Sequence, residues 1–217
     1  MNQTPQPPPD DMPGVPVGEP YPVRFDVAYP DRQLNRVSSA LRIFAAIPII
    51  VVLAAIGAGD WGRFGGTAGG VVFLPALLMI LFRQKYPRWW FDWNRELLRF
   101  SNRVGAYLAL LSDRYPSTDE QQYVTLDLDF PDATRELNRW LPLVKWLLAI
   151  PHYVALLFLY LGSVLAVIAA WFAILFTGRY PRGLFDYVVG VMRWQNRVWG
   201  YAFVLNTDRY PPFRLAP

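Results

Sequence analysis

From Trp140 to Phe176 the chain runs for about 37 residues with Lys145 as its only fully charged side chain and His152 as its only histidine. No other feature restricts the fold as strongly. As one straight helix the run would be roughly 55 Å long, against a hydrocarbon core of roughly 30 Å. That excess predicts a fold-back, and Gly162-Ser163 offers the small polar pair for it. Two shorter apolar stretches, Ile43 to Ala58 and Ala68 to Phe82, are separated by a glycine-rich segment from Gly57 to Gly66. Reading each run against bilayer thickness gives four spans, 38–58, 66–83, 140–161 and 163–178, arranged as two hairpins. Composition agrees, because 53% hydrophobic against 18% charged residues is too apolar for an ordinary soluble domain.

The two hairpins sit inside a longer self-similarity. Phe25-Asp26-Val27-Ala28-Tyr29-Pro30-Asp31 returns as Leu126-Asp127-Leu128-Asp129-Phe130-Pro131-Asp132, and Leu34-Asn35-Arg36 as Leu137-Asn138-Arg139. Ala46-Ile47-Pro48 returns as Ala149-Ile150-Pro151, and Tyr86-Pro87-Arg88 as Tyr180-Pro181-Arg182. Asp113-Arg114-Tyr115-Pro116 and Asp208-Arg209-Tyr210-Pro211 close the two copies. A unit of about 90 residues is too long for a solenoid repeat and reads as a duplicated half-domain. The organisation expected is a Pro-rich disordered tail over 1–20, a first repeat over 21–116 and a second over 117–217. With an even number of spans per copy, the copies share one orientation, as parallel repeats. The matched prolines, Pro48 and Pro151, are expected to bend the first span of each hairpin.

Charge sets the orientation. Of 21 Lys and Arg residues only Arg63 falls in an expected hairpin tip. The rest flank the hairpins, which puts both termini and the segment from Arg83 to Arg139 on the cytoplasmic side of a cell membrane. The net charge of +4 therefore suits an anionic membrane surface. A nucleic-acid partner is not expected, since the arginines are scattered along the membrane flanks and gather on no single recognition element.

Between the hairpins the patterning changes. Val23, Phe25, Val27 and Tyr29 alternate with polar residues, as do Val124, Leu126, Leu128 and Phe130, which predicts strands. From Trp90 and from Leu184 the apolar positions follow a helical period. Asp92, Glu96, Arg99 and Arg103, or Asp186, Arg193 and Arg197, take the other face. These helices suit either a flat interfacial position or a role covering the spans. The segments 107–111 and 201–205 read as helix end or strand. The preferred reading pairs them as strands in a small cytoplasmic β element.

Six cations stand out as candidate lipid-headgroup or interface contacts: Arg88, Arg182, Arg103, Arg197, Arg42 and Lys145. The last two lie where a long side chain can snorkel to phosphate level. His152 is the candidate intramembrane polar site, although its counterpart is Ile49 and no second His or any Cys accompanies it. The duplicated acids Asp26/Asp127, Asp31/Asp132, Asp92/Asp186 and Asp113/Asp208 lie at turns or helix starts, where aspartate caps backbone donors and pairs with arginine. No phosphate loop, dinucleotide fingerprint, serine elbow or zinc-protease motif occurs. The glycine run Gly65-Gly66-Thr67-Ala68-Gly69-Gly70 reads as a turn. Neither catalytic residues, metal nor cofactor are expected.

The segments 143–153 (Leu-Val-Lys-Trp-Leu-Leu-Ala-Ile-Pro-His-Tyr) and 171–186 (Trp-Phe-Ala-Ile-Leu-Phe-Thr-Gly-Arg-Tyr-Pro-Arg-Gly-Leu-Phe-Asp) resemble a bacterial membrane family known as domain of unknown function 4389. Arg197-Val198-Trp199-Gly200-Tyr201 and Thr207-Asp208-Arg209-Tyr210-Pro211-Pro212-Phe213 resemble its closing segment, and the first copy is a divergent second instance. The resemblance implies a bacterial inner-membrane protein and brings no activity. The expectation is an α-helical integral membrane protein, multi-pass and non-enzymatic. It would be an accessory or scaffold engaging the bilayer, anionic lipids, a membrane-protein partner or a second copy of itself. The alternative is a small transporter or channel at the repeat interface or in an oligomer.

Overall fold

Alternation settles the first element of the computed structural model, which describes residues 20–30, 34–57, 67–117 and 123–217. Val23, Phe25 and Val27 point inward and Arg24 and Asp26 outward in strand β1 (Val23–Val27). Strand β2 (Val124–Leu128) has the same in–out pattern. The two pair antiparallel, with Phe25 opposite Leu126 at the centre. This ribbon is the only sheet among the described residues, which corrects the expectation of two strand pairs. Residues 107–111 end helix α3 (Arg88–Leu108), and 201–205 fall largely in a π-helical turn (Gly200–Val204). Their backbone donors close helical bonds, Ala109 to Gly105 O and Leu111 to Ala106 O, so none is left for a ladder. Both segments leave through a left-handed leucine, Leu110 at φ 63° and Leu205 at φ 61°. From Tyr201 to Asp208 is one residue longer than from Tyr107 to Asp113, and the wider π turn takes up that residue.

Proline shapes the apolar helices. Helix α1 (Arg36–Gly57) bends by 53° between Arg36–Arg42 and Phe44–Leu53. Pro48 has no N–H for the carbonyl of residue 44, and its ring crowds that carbonyl. Pro151 acts likewise on Leu147, and the chain breaks at Ala149 between α4 (Pro142–Leu148) and α5 (Ile150–Thr177). Helix α2 (Thr67–Arg83) begins at Thr67, so residues 67–70 of the glycine run are helical and not a turn. The expected hairpin tip at Asp60 to Phe64, the tail and Asp31 lie outside the described residues.

The expected fold-back at Gly162-Ser163 does not occur. Helix α5 passes straight through both residues as one element of 28 residues, about 42 Å long. Gly162 has a different purpose. The Tyr187 hydroxyl of α6 (Arg182–Trp199) sits where a Cβ would stand and donates to Leu159 O at 3.0 Å. The helix stops instead at Gly178, left-handed at φ 73°, whose N–H donates to Ile174 O.

Three layers result. The ribbon lies against α6 and α3, with α6 on β1 and α3 on β2; α6 in turn packs on α5, and α3 on α1. Along α5, His152, Leu156, Ala166, Ala170 and Ile174 are buried in one stripe. Val154, Leu157, Leu161, Leu165, Ile168, Phe172 and Phe176 form an opposite, exposed stripe of equal length. Among the described residues α5 is the one unbroken helix long and apolar enough to cross a membrane, and only 17% of its most apolar stretch is buried.

Candidate functional site

The middle layer holds the charged and amide side chains, and its contacts come in matched sets. Arg99 of α3 donates from Nε to Leu126 O at 2.8 Å and pairs with Asp127 at 2.9 Å. Arg193 of α6 donates from Nε to Phe25 O at 2.9 Å and pairs with Asp26 at 2.9 Å. Each guanidinium thus ties a helix from one half of the chain to the strand of the other. Between α3 and α6, Asn102 and Asn196 exchange Nδ2–H···Oδ1 bonds at 2.8 and 2.7 Å, and each also donates to the carbonyl four residues back. All four amide N–H groups are thereby used, and each Oδ1 accepts one of them.

Arg42 and Lys145 are enclosed by protein. They are 2% and 0% exposed. Arg42 pairs with Asp113, donates to Ser112 O at 2.8 Å and lies 4.7 Å over the Tyr107 ring. Lys145 lies 2.7 Å from Asp208, donates to Thr207 O at 2.8 Å and sits 5.1 Å over the Tyr201 ring. The far oxygens of the two aspartates accept the N–H of Asn35 and of Asn138, each at 2.6 Å. One carboxylate therefore holds both a buried cation and the residue leading into an apolar helix. Burial pulls the Lys145 ammonium below the usual lysine range, and Asp208 opposes that shift.

Arg103 and Arg197 are also placed inside. Arg103 is 6% exposed and donates to Ser117 O; Arg197 is 3% exposed and donates to Arg214 O and Ala216 O. Each fastens the stretch of chain that follows its helix. Of the six cations expected at an interface, only Arg88 and Arg182 are exposed. They lie over aromatic rings from the other half of the chain, Arg88 over Phe130 and Arg182 over Tyr29. Exposed Trp89 and Trp140 and the stacked Trp90–Trp93 pair add amphipathic rings at the edge of the apolar layer.

His152 is sealed at the start of α5. Its Nδ1 accepts the Trp194 indole N–H at 3.0 Å, and its ring stacks on Phe213 at 4.0 Å. An indole nitrogen only donates, so the histidine proton sits on Nε2, which has no hydrogen-bond partner among the described residues. The residue ties the closing segment to α5. Among the described residues no group of three His, Asp or Glu side chains is placed to hold a metal ion.

Sequence reasoning passed over Arg99, Arg193, Asn102 and Asn196 as site residues. Their signal was available, because the pair Asn-Arg recurs at 102–103 and 196–197 within helices whose neighbouring positions differ. It also passed over a cleft of about 830 Å³ at the edge of β1, walled by α6 and the closing segment.

Residues 140–214, from the start of α4 through α6 into the closing segment, match the family model described as Domain of unknown function (DUF4389). No curated protein and no solved structure matches the chain.

Proposed function

We propose that this chain is a membrane-embedded, non-catalytic accessory protein: a slab of apolar helices held in the bilayer, carrying a polar layer at headgroup level on the cytoplasmic side. The observation that carries the reading is the exposed apolar stripe of α5, continued by Leu41, Phe44 and Val51 of α1 and Leu74, Leu78 and Phe82 of α2. Keeping such surface in water would cost on the order of 10 kcal/mol in all. The duplicated half-domain supplies the frame. Phe25 stands opposite Leu126 and Asn102 bonds Asn196 where the two copies meet, and each copy's helix braces the other copy's strand.

Four crossings required a turn at Gly162-Ser163, and α5 has none there. Helix α5 runs along α6 of the polar layer, with His152 bonded to Trp194 and Leu159 O to the Tyr187 hydroxyl, before the turn at Gly178 leads into α6. A helix crossing along the membrane normal would meet that layer at one end only. The arrangement these contacts support is in-plane: α5 lies along the layer with its outer stripe in the acyl chains of one leaflet. Arg88, Arg182 and the neighbouring tryptophans then lie at headgroup depth, where each arginine gains roughly 1 kcal/mol from anionic lipid. Partners dock on this presented layer, whose Arg99, Arg193, Asn102 and Asn196 side chains are engaged within the fold.

The chain has no native cysteine, so single nitroxide labels at 154, 161, 168 and 176 report depth along the stripe without background. Accessibility to oxygen against a water-soluble nickel chelate should give one near-constant depth. A profile deepest at 161–168 and shallow at both ends would establish a crossing helix, and uniform chelate access would remove the membrane reading.

A further inference from the structure

The cleft at the edge of β1 is lined by five arginines, Arg24, Arg193, Arg197, Arg209 and Arg214, against the carboxylates of Asp26 and Asp127. Those two acids are already engaged, Asp26 by Arg193 and Asp127 by Arg99 from outside the cleft. Arg24 is engaged too, by both oxygens of Asp129. Arg197 is the unbalanced group. It is almost fully buried, its two terminal nitrogens donate only to neutral carbonyls, and its Nε has no partner among the described residues. Its charged neighbours are Arg214 and Arg193, and burial together with these two holds the guanidinium down to about 10. Arg214 itself is exposed, with no side-chain hydrogen bond or ion pair among the described residues.

A buried cation surrounded by like charge destabilises a fold unless an anion joins it. Guanidinium groups match the oxygens of phosphate in geometry as well as in charge. Apart from Thr125, the remaining walls are aromatic or apolar, Tyr21, Tyr210, Pro20 and Pro212 among them, and the volume lies within the range of small-molecule sites. We infer that this cleft binds an organic phosphate, its phosphoryl group between Arg197 and Arg214 and its organic part against Tyr21 and Tyr210. Residues of both halves line the site, and the second strand does not repeat its cation. Thr125 stands where the correspondence with Arg24 would need a cation. The inference does not depend on how the apolar slab sits in the bilayer.

The test uses the full chain in mild detergent, titrated with glycerol 3-phosphate at constant ionic strength against a chloride control, and the chain in phosphatidylcholine nanodiscs with and without phosphatidic acid. Two variants probe the cleft, R214Q at the exposed cation and R197K, which keeps the charge and removes the fork. R135Q, at an exposed arginine outside the cleft, is the control. Saturable binding of glycerol 3-phosphate, weakened at least tenfold by R214Q and by R197K but unchanged in R135Q, is the expected result and identifies a soluble ligand. Binding seen only with phosphatidic acid, and lost to the same variants, supports the site with a lipid headgroup as its source. Absence of binding in both arms, or equal binding by wild type and R214Q, overturns the inference.

Discussion

Replacing Asp208 by asparagine tests how the buried cations are held. Lys145 is wholly enclosed, 2.7 Å from the Asp208 carboxylate. At an effective dielectric of about 20 the attraction at this range is roughly 6 kcal/mol, and desolvating the two ions costs several kcal/mol each. The intact pair therefore adds little net stability, whereas breaking it from one side leaves an uncompensated ammonium. Thr207 O and the Tyr201 ring remain as partners, so the loss for D208N is expected near the lower end of the usual range, about 3 kcal/mol. K145M should cost less, about 1 kcal/mol, because Asp208 keeps partial hydration and the N–H of Asn138. The double variant should lie close to K145M, giving a coupling energy of roughly 2–3 kcal/mol. Reversible unfolding in mixed micelles, followed by tryptophan fluorescence, reads all four corners of the cycle. The pH dependence adds a second readout. A lysine with a depressed folded pKa binds fewer protons folded than unfolded, so stability rises with pH between that depressed value and the unfolded value near 10.4. Removing Asp208 extends this window to lower pH, so D208N should gain stability with rising pH over a wider range than wild type. Simple additivity of the two single losses, or a D208N cost below 1 kcal/mol, would refute the reasoning.

Three further outcomes follow from the same contacts. Gly162→Pro should cost about 3 kcal/mol or more, because α5 continues through residue 162; tolerance in a thermal melt would restore the turn. Asn102→Leu should cost about 1–3 kcal/mol by leaving the Asn196 amide without its partner, while Asn102→Leu with Asn196→Leu should recover most of it in the same assay. Burial raises the hydroxyl pKa of Tyr21, Tyr86, Tyr123 and Tyr180 above the ordinary value near 10. The folded chain therefore keeps protons that the unfolded chain releases, and stability should fall steadily as pH rises past 10. The 295 nm absorbance of tyrosinate, lagging in the folded protein and jumping at unfolding, measures this; unhindered titration at pH 10 would contradict it.

The sequence was most legible where one periodicity acts on one element. The alternation at Val23–Val27 and Val124–Leu128 and the prolines Pro48 and Pro151 led directly to strands and bends, because both act through the local backbone. Length against bilayer thickness misled at Gly162. That rule assumes a helix stands upright, and it takes a mid-helix glycine for a breaker. Here the glycine makes room for the Tyr187 hydroxyl, a contact set by packing of α6 that no local pattern encodes. The candidate cations failed in one direction. Arg42, Arg103, Lys145 and Arg197, expected at an interface, are buried, because each has a carboxylate or backbone carbonyls as partners that sequence spacing does not encode.

The two halves of the chain agree and disagree in a way that separates framework from ligand chemistry. Cation and aspartate recur as Arg42–Asp113 and Lys145–Asp208, and arginine and strand as Arg99–Asp127 and Arg193–Asp26, although the neighbouring side chains differ. These pairs set the angle between the apolar helices and the polar layer, so a change on one side alone would leave a buried charge unmatched. The arginine cleft has no such constraint. Arg24 and Arg214 face solvent and make no contact on which a helix depends. Their gathering beside the buried Arg197 is therefore not explained by the frame, and the unbalanced charge there is what an anionic ligand would neutralise.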